Sequence, residues 1–184
     1  MPVVCCIRTA ASAYGVLRAA IRDNNPVLVY EHKGLYGRKG PVQLGEEGIA
    51  PIGKAGILRA GTDITVVATL LMADRAALAA DQLADEGISV EVVELRWLRP
   101  LDLETVIESV AKTSRLLVIE EQVHAGGWGA TVISELIMRG VPMARPDALS
   151  LPEDLLIPYT PSLEDAIVPS VETIAARIRS SREV

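Results

Sequence analysis

Four short stretches bring together residues capable of chemistry. AAIRDNNP, residues 19–26, ends a helix pattern with Asp23 and Asn25 just beyond it. The last carbonyls of a helix lack intrahelical partners, so this turn can offer several hard oxygens to a monovalent or divalent cation. It is equally an ordinary helix stop, because Asp and Asn favour turns. VIEEQVHAGGWGA, residues 118–130, carries Glu120, Glu121 and His124 ahead of a glycine-rich entry into a helix. Open α/β sheets bind ligands at such places, and helix N-termini attract anions. GGxG is not a dinucleotide or phosphate-loop motif, however, and the two glutamates oppose a phosphate. His124 has the intrinsic pKa of a general acid or base but no evident partner, so a surface or interface role competes.

LRWLRPLD, residues 95–102, sets Arg96 and Arg99 around Trp97, a pattern that can clamp an anion or anchor a partner. The same residues also read as a turn in which Pro100 ends a strand and Asp102 caps a helix. IPYTPSLEDAIVPSVETI, residues 157–174, spaces three prolines among Tyr159, Leu163 and Ile167. Such a segment packs across a surface, either its own domain's or a second subunit's. Cys5 and Cys6 are adjacent and point to opposite faces of a strand, so they read as two reduced, buried thiols.

These residues must be positioned by a parallel α/β framework. In residues 1–50, strand Val3 to Ile7, a helix capped by Ser12 and strand Val27 to Tyr30 make one strand-helix-strand unit. One such unit cannot cover both faces of its own sheet, so it reads as the remnant of a larger domain. Residues 31–61 carry eight glycines and read mostly as connection, with the linker proper at 51–61. Residues 62–184 read as a three-layer domain. Its strands are Ile64 to Thr69, Val90 to Leu95 and Leu116 to Ile119, with an edge strand somewhere in Val141 to Leu149 confined by Pro142 and Pro146. Its helices are 73–86, one capped by Asp102, one holding Ile133, Leu136 and Ile137, and one capped by Ser170. Each presents a full apolar stripe, from which this domain is expected to fold without residues 1–50.

Nearly half of the 184 residues are apolar, and Phe is absent, as suits strands buried under helices and built from Val, Ile, Leu and Ala. A formal charge of −6 without a clustered basic face argues against nucleic acid. No apolar run spans a bilayer and no signal-peptide pattern stands at the start, so a cytoplasmic protein away from membranes is expected.

AAIRDNNPVLVYEHKGLYG, PIGKAGILRAGTDITVVAT, LRWLRPLDLETVIESV, VIEEQVHAGGWGA and PYTPSLEDAIVPSVETI follow one another in an order that resembles the beta subunit of thiamine-diphosphate-dependent dehydrogenase components. These serve the 2-oxo-acid dehydrogenase complexes acting on pyruvate or branched-chain 2-oxo acids, and acetoin dehydrogenase. The resemblance implies that residues 1–50 end a thiamine pyrimidine-binding domain and that residues 62–184 form a transketolase C-terminal-like domain. It implies a potassium ion held by Ala20, Ile21, Asp23 and Asn25 in the intact subunit. It also implies thiamine diphosphate and magnesium bound by the whole assembly, with the activating glutamate and an active-site histidine upstream of this chain. No catalytic or cofactor-binding residue carries over by motif, and Glu31, His32 and His124 are expected to sit on loops without a tuning partner. The implied partners are an alpha subunit and a second beta subunit in an α2β2 assembly, and a lipoyl-bearing acyltransferase core. Arg96, Trp97, Arg99, His124, Tyr159, Leu163 and Ile167 are the candidate interface residues. A non-catalytic assembly or dimerisation module is the competing reading. One departure, the short passage from Arg139-Gly140 to Val141-Pro142, leaves the edge of the second sheet open.

Overall fold

Ile64–Ala68 (β4) and Val90–Glu94 (β5) are buried at every position, because each is covered on both faces. In the computed structural model, which describes residues 2–154 and 156–182, they lie side by side in parallel within a five-stranded sheet. Its order is β3-β5-β4-β7-β8, where β3 is Gly56–Arg59, β7 is Leu116–Val123 and β8 is Asp147–Leu151. All neighbours are parallel except β3, which runs antiparallel to β5. Alternation along β4 divides the core. Ile64, Val66 and Ala68 face helix α2 (Leu70–Ala84) and the terminal helix α6 (Val171–Ser181), through Met72, Ala76, Leu83, Ile174 and Ile178. Val67, with Val93 and Val118, faces α3 (Leu103–Thr113) and α4 (Trp128–Met138), through Val106, Val110, Val132 and Leu136. The chain therefore has the three-layer α/β architecture expected, with a mainly parallel sheet.

Two expected caps are in place, Asp102 accepting from Thr105 N and Ser170 from Thr173 N. The first helix differs. It runs over Ala10–Arg22 (α1) with Thr9 as its cap, and Ser12 reaches back to the Thr9 N–H as the third helical residue of a reciprocal capping box. The edge strand left open by the short passage after Met138 exists as β8, which begins directly after Pro146, where proline cannot interrupt its ladder.

A second sheet, ordered β2-β1-β6, pairs Val3–Ile7 (β1) in parallel with Val27–Glu31 (β2), as the pattern requires. Its third strand, Trp97–Arg99 (β6), follows closely on β5 of the main sheet and runs antiparallel to β1. The stretch expected as linker, residues 51–61, includes β3, which joins the main sheet. The N-terminal unit takes its third strand, β6, from beyond residues 1–50. The glycine-rich connection also packs rather than wandering. Ala50 N donates to the Gly15 carbonyl at 3.2 Å, and a Cβ on Gly15 would come within 2.4 Å of the Gly48 oxygen. Only glycine permits that approach to α1. Among the described residues no helix is long and apolar enough to cross a membrane.

Candidate functional site

The carboxyl ends of β1, β4, β5 and β7 converge where the small sheet meets the large one. Arg8, the first residue past β1, reaches across this seam. Its Nη1 donates to Asp74 Oδ1 at 2.6 Å and its Nε to Glu94 Oε1 at 2.6 Å. Both carboxylates are buried. Arg96 Nε donates to the other Glu94 oxygen at 3.0 Å, and Arg38 Nη1 stands 2.6 Å from Asp74 Oδ2 as an ion pair without hydrogen-bond geometry. Burial disfavours the Arg8 charge, but Glu94 and then Asp74 outweigh it and hold the guanidinium above its usual pKa. Buried carboxylates without such partners would cost several kcal/mol each, so the network is a condition of closing the seam, with its charges committed to one another.

Beside it, His32 Nε2 lies 3.1 Å from Glu121 Oε1, and Tyr36 donates its hydroxyl to Glu31 at 3.0 Å. Glu31 and His32, expected on loops without a partner, are thus both paired, and Glu31 ends β2. His124 is exposed, its Nδ1 4.0 Å from Glu120 Oε1.

The glycine-rich entry to α4 is occupied by the chain itself. Glu120 is buried, and its Oε2 accepts from Gly129 N at 3.0 Å and from Gln122 Nε2 at 2.7 Å. A Cβ on Gly127 or Gly129 would stand 2.5 Å from a Glu120 oxygen. The glycines thus make room for an internal carboxylate at the positive end of the helix, where an external anion would otherwise bind.

The four residues named for a cation do share one turn at the end of α1. Asp23 N donates to the Ala20 carbonyl at 3.3 Å, and Asp23 Oδ1 accepts from Asn25 N at 2.7 Å and Asn25 Nδ2 at 2.8 Å. These bonds, the backbone one foremost, hold the Asp23 carboxyl below its usual pKa. The Ile21 side chain points to solvent and leaves only its backbone to contribute. Among the described residues no group of three or more His, Cys, Asp or Glu side chains is placed to hold a metal.

The interface candidates divide. Trp97 is 1% exposed and packs against Val3, Cys5, Ile7, Val16 and Ala19, so it anchors the chain's own two parts and is not available to another subunit. Arg96 is committed to Glu94, while Arg99 is exposed. Tyr159 is fully exposed, and Leu163 stands out from a short helix, Pro161–Ile167 (α5), that the sequence reading did not anticipate. Ile167, at its end, packs onto the α2 and α6 side of the core. Cys5 and Cys6 are free and buried, as expected, and burial pushes their thiols up to about 11 and about 12, which leaves no thiolate nucleophile at neutral pH.

Residues 53–174 match the family of transketolase C-terminal domains. The chain belongs to that family. The match begins just before β3, consistent with a transketolase C-terminal domain that includes this antiparallel strand. The chain is 40% identical over 179 residues to the acetoin:2,6-dichlorophenolindophenol oxidoreductase subunit beta of Cupriavidus necator, covering 97% of this chain and 53% of that protein. It is 38% identical over 181 residues to the 2-oxoisovalerate dehydrogenase subunit beta of Bacillus subtilis, covering 95% and 54%. Against the pyruvate dehydrogenase E1 component subunit beta of Rhizobium meliloti it is 38% identical over 173 residues, covering 94% and 38%. The chain thus spans about half the length, or less, of these relatives. A solved split-gene transketolase, described as an inactive β4 tetramer, shares the fold with a TM-score of 0.81 at 23% identity, over 99% of this chain and 58% of that one. Homology to beta subunits of this dehydrogenase class therefore covers the seam as well as the transketolase C-terminal domain.

Proposed function

We propose that this chain supplies part of the beta subunit of a thiamine-dependent 2-oxo-acid or acetoin dehydrogenase component, as a structural half that is inactive by itself. The observation that carries the reading is the alignment at 40% identity over 97% of the chain but 53% of the relative. In the complete enzyme the cofactor would supply the decarboxylation chemistry and acyl transfer to a lipoyl domain would follow, with an alpha subunit and a second beta subunit completing the assembly.

The residues present do not fit thiamine diphosphate. The helix N-terminus that would receive a diphosphate is held by Glu120, and the seam arginines are spent on Asp74 and Glu94. The Ala20–Asn25 turn fits potassium as one wall of a site, with helix-terminal carbonyls and the ionised Asp23 as hard oxygens, the remaining ligands lying outside these residues. The competing reading, a non-catalytic assembly or dimerisation module, is favoured by the ion pairs that hold Arg8, Asp74 and Glu94 within the seam.

Calorimetry of the chain with thiamine diphosphate and magnesium, with a dye-reduction assay on pyruvate, branched-chain 2-oxo acids and acetoin, tests the proposal. No micromolar binding and no turnover are expected. Either one would overturn the assignment of the chain as an incomplete structural half.

A further inference from the structure

At the amino ends of the main sheet, opposite the seam, the last turn of α6 approaches the residues that precede β4 and β7. Thr62, Asp63, Ile88, Arg115, Arg179 and Arg182 line an open cavity of about 480 Å³ there. On a chain of formal charge −6, three guanidinia around one cavity are a local reversal of sign. Their neutralisation is incomplete. Arg179 makes a two-pronged pair with Glu86, Nε to Oε2 at 2.8 Å and Nη2 to Oε1 at 2.5 Å, which leaves its remaining N–H groups free to donate. Arg182 meets Asp63 only at 3.6 Å, beyond hydrogen-bond distance, and Asp63 Oδ2 is already accepting from Ser89 N at 3.0 Å. Arg115 has no ion pair among the described residues, and its Nε is buried without a hydrogen-bond partner. An Nε–H that is removed from water and left unpaired calls for an acceptor.

From this cavity we infer that the α6 end of the domain is a binding site for a diphosphate-bearing small molecule. Arginine forks from two separate elements approach the space from different directions, which suits oxygens distributed over two tetrahedral groups better than one planar carboxylate. The volume exceeds that of a single phosphate, and Ile88 supplies an apolar wall. The position, at the amino ends of the central strands and away from the seam, makes the site independent of the function proposed above. Asp63 is the internal competitor, since its carboxylate stands where it partly satisfies Arg182.

The test is titration of the full chain with inorganic pyrophosphate by calorimetry at low salt, with adenosine diphosphate in parallel. Saturable binding that weakens with added salt is expected. Arg115→Gln and Arg182→Gln should each lower affinity by about tenfold. Asp63→Asn, which removes the competing charge while keeping the side chain's shape, should raise it, a gain that misfolding cannot produce. Arg22→Gln, at a paired arginine on α1, should leave it unchanged. Equal affinity for the two probes assigns recognition to the diphosphate, and tighter binding of adenosine diphosphate adds the nucleoside to it. Absence of saturable binding of either probe in the millimolar range, or equal losses in Arg22→Gln and the cavity variants, would overturn the site.

Discussion

Arg8 and Glu94 meet at 2.6 Å across 86 positions of sequence, and this contact ties the N-terminal strand-helix-strand unit to the end of β5. Glu94 and Asp74 are both buried, and Arg8 is the side chain that hydrogen-bonds to both of them. Arg8→Met should destabilise the chain by about 3–5 kcal/mol in urea unfolding. Adding Asp74→Asn and Glu94→Gln to that variant should recover part of the loss. An Arg8→Met chain as stable as the parent would show that Arg96, Arg38 or water, and not Arg8, satisfies the two acids.

Trp97 should behave as an internal anchor. Trp97→Ala is expected to cost about 3–5 kcal/mol by opening a cavity under β1 and α1. The loss should appear as one cooperative transition for the whole chain. An isolated loosening of residues 1–50, with the main sheet still melting as before, would mean that β6 does not couple the two sheets.

The main sheet was legible in the sequence because β4, β5 and β7 are dense in Val, Ile and Leu and the helices around them carry apolar stripes, with side-chain caps on α3 and α6. β3 was not. Gly56–Arg59 buries Gly56, exposes Ile57 and half-buries Leu58 and Arg59 among glycines, so neither alternation nor a long apolar run marks it. β6 was missed because Trp97 lies between two arginines, a pattern that a binding turn and a short buried strand share. The seam left no trace at all. Arg8 with Asp74 spans 66 positions and His32 with Glu121 spans 89, and such pairings have no periodicity to read. For the same reason the expectation that residues 62–184 fold alone weakens once Trp97, Asp74 and Glu94 are seen to be covered from residues 1–50.

The glycines before and within α4 should be intolerant for a reason that contrasts with a neutral control. Gly129→Ala places a methyl group 2.5 Å from both Glu120 Oε1 and Val118 Cγ1. It should destabilise by about 1–3 kcal/mol despite alanine's better helix propensity. Gly37→Ala, with open space around its Cβ position, should change stability by less than about 0.5 kcal/mol. Thermal melts of the two variants distinguish a required close approach from general glycine flexibility.

Acid should weaken the fold through buried carboxylates. Burial raises the Glu91 pKa, but Lys112, Ser109 and the Gly61 N–H outweigh it and bring it below the usual value. Asp102 is likewise lowered, because the Ala55 N–H and Thr105 overcome its burial. A folded-state pKa below the unfolded one gives stability that is present above the ordinary carboxylate range, about pH 4, and lost as pH falls through the folded values. Urea unfolding from pH 6 downward should show that loss, and Glu91→Gln with Asp102→Asn should flatten it. An unchanged slope in the double variant would assign the acid sensitivity to other groups.

Complementation tests the proposed role most directly. Co-expression of the chain with the upstream half of a homologous beta subunit and its alpha subunit, followed by a decarboxylation assay on pyruvate, branched-chain 2-oxo acids and acetoin, asks whether this half serves an active site it does not itself contain. The prediction is substrate-dependent activity that requires all three components and is lost when the chain is omitted. A stable assembly that contains the chain yet decarboxylates none of these substrates, or activity that persists without the chain, would contradict it.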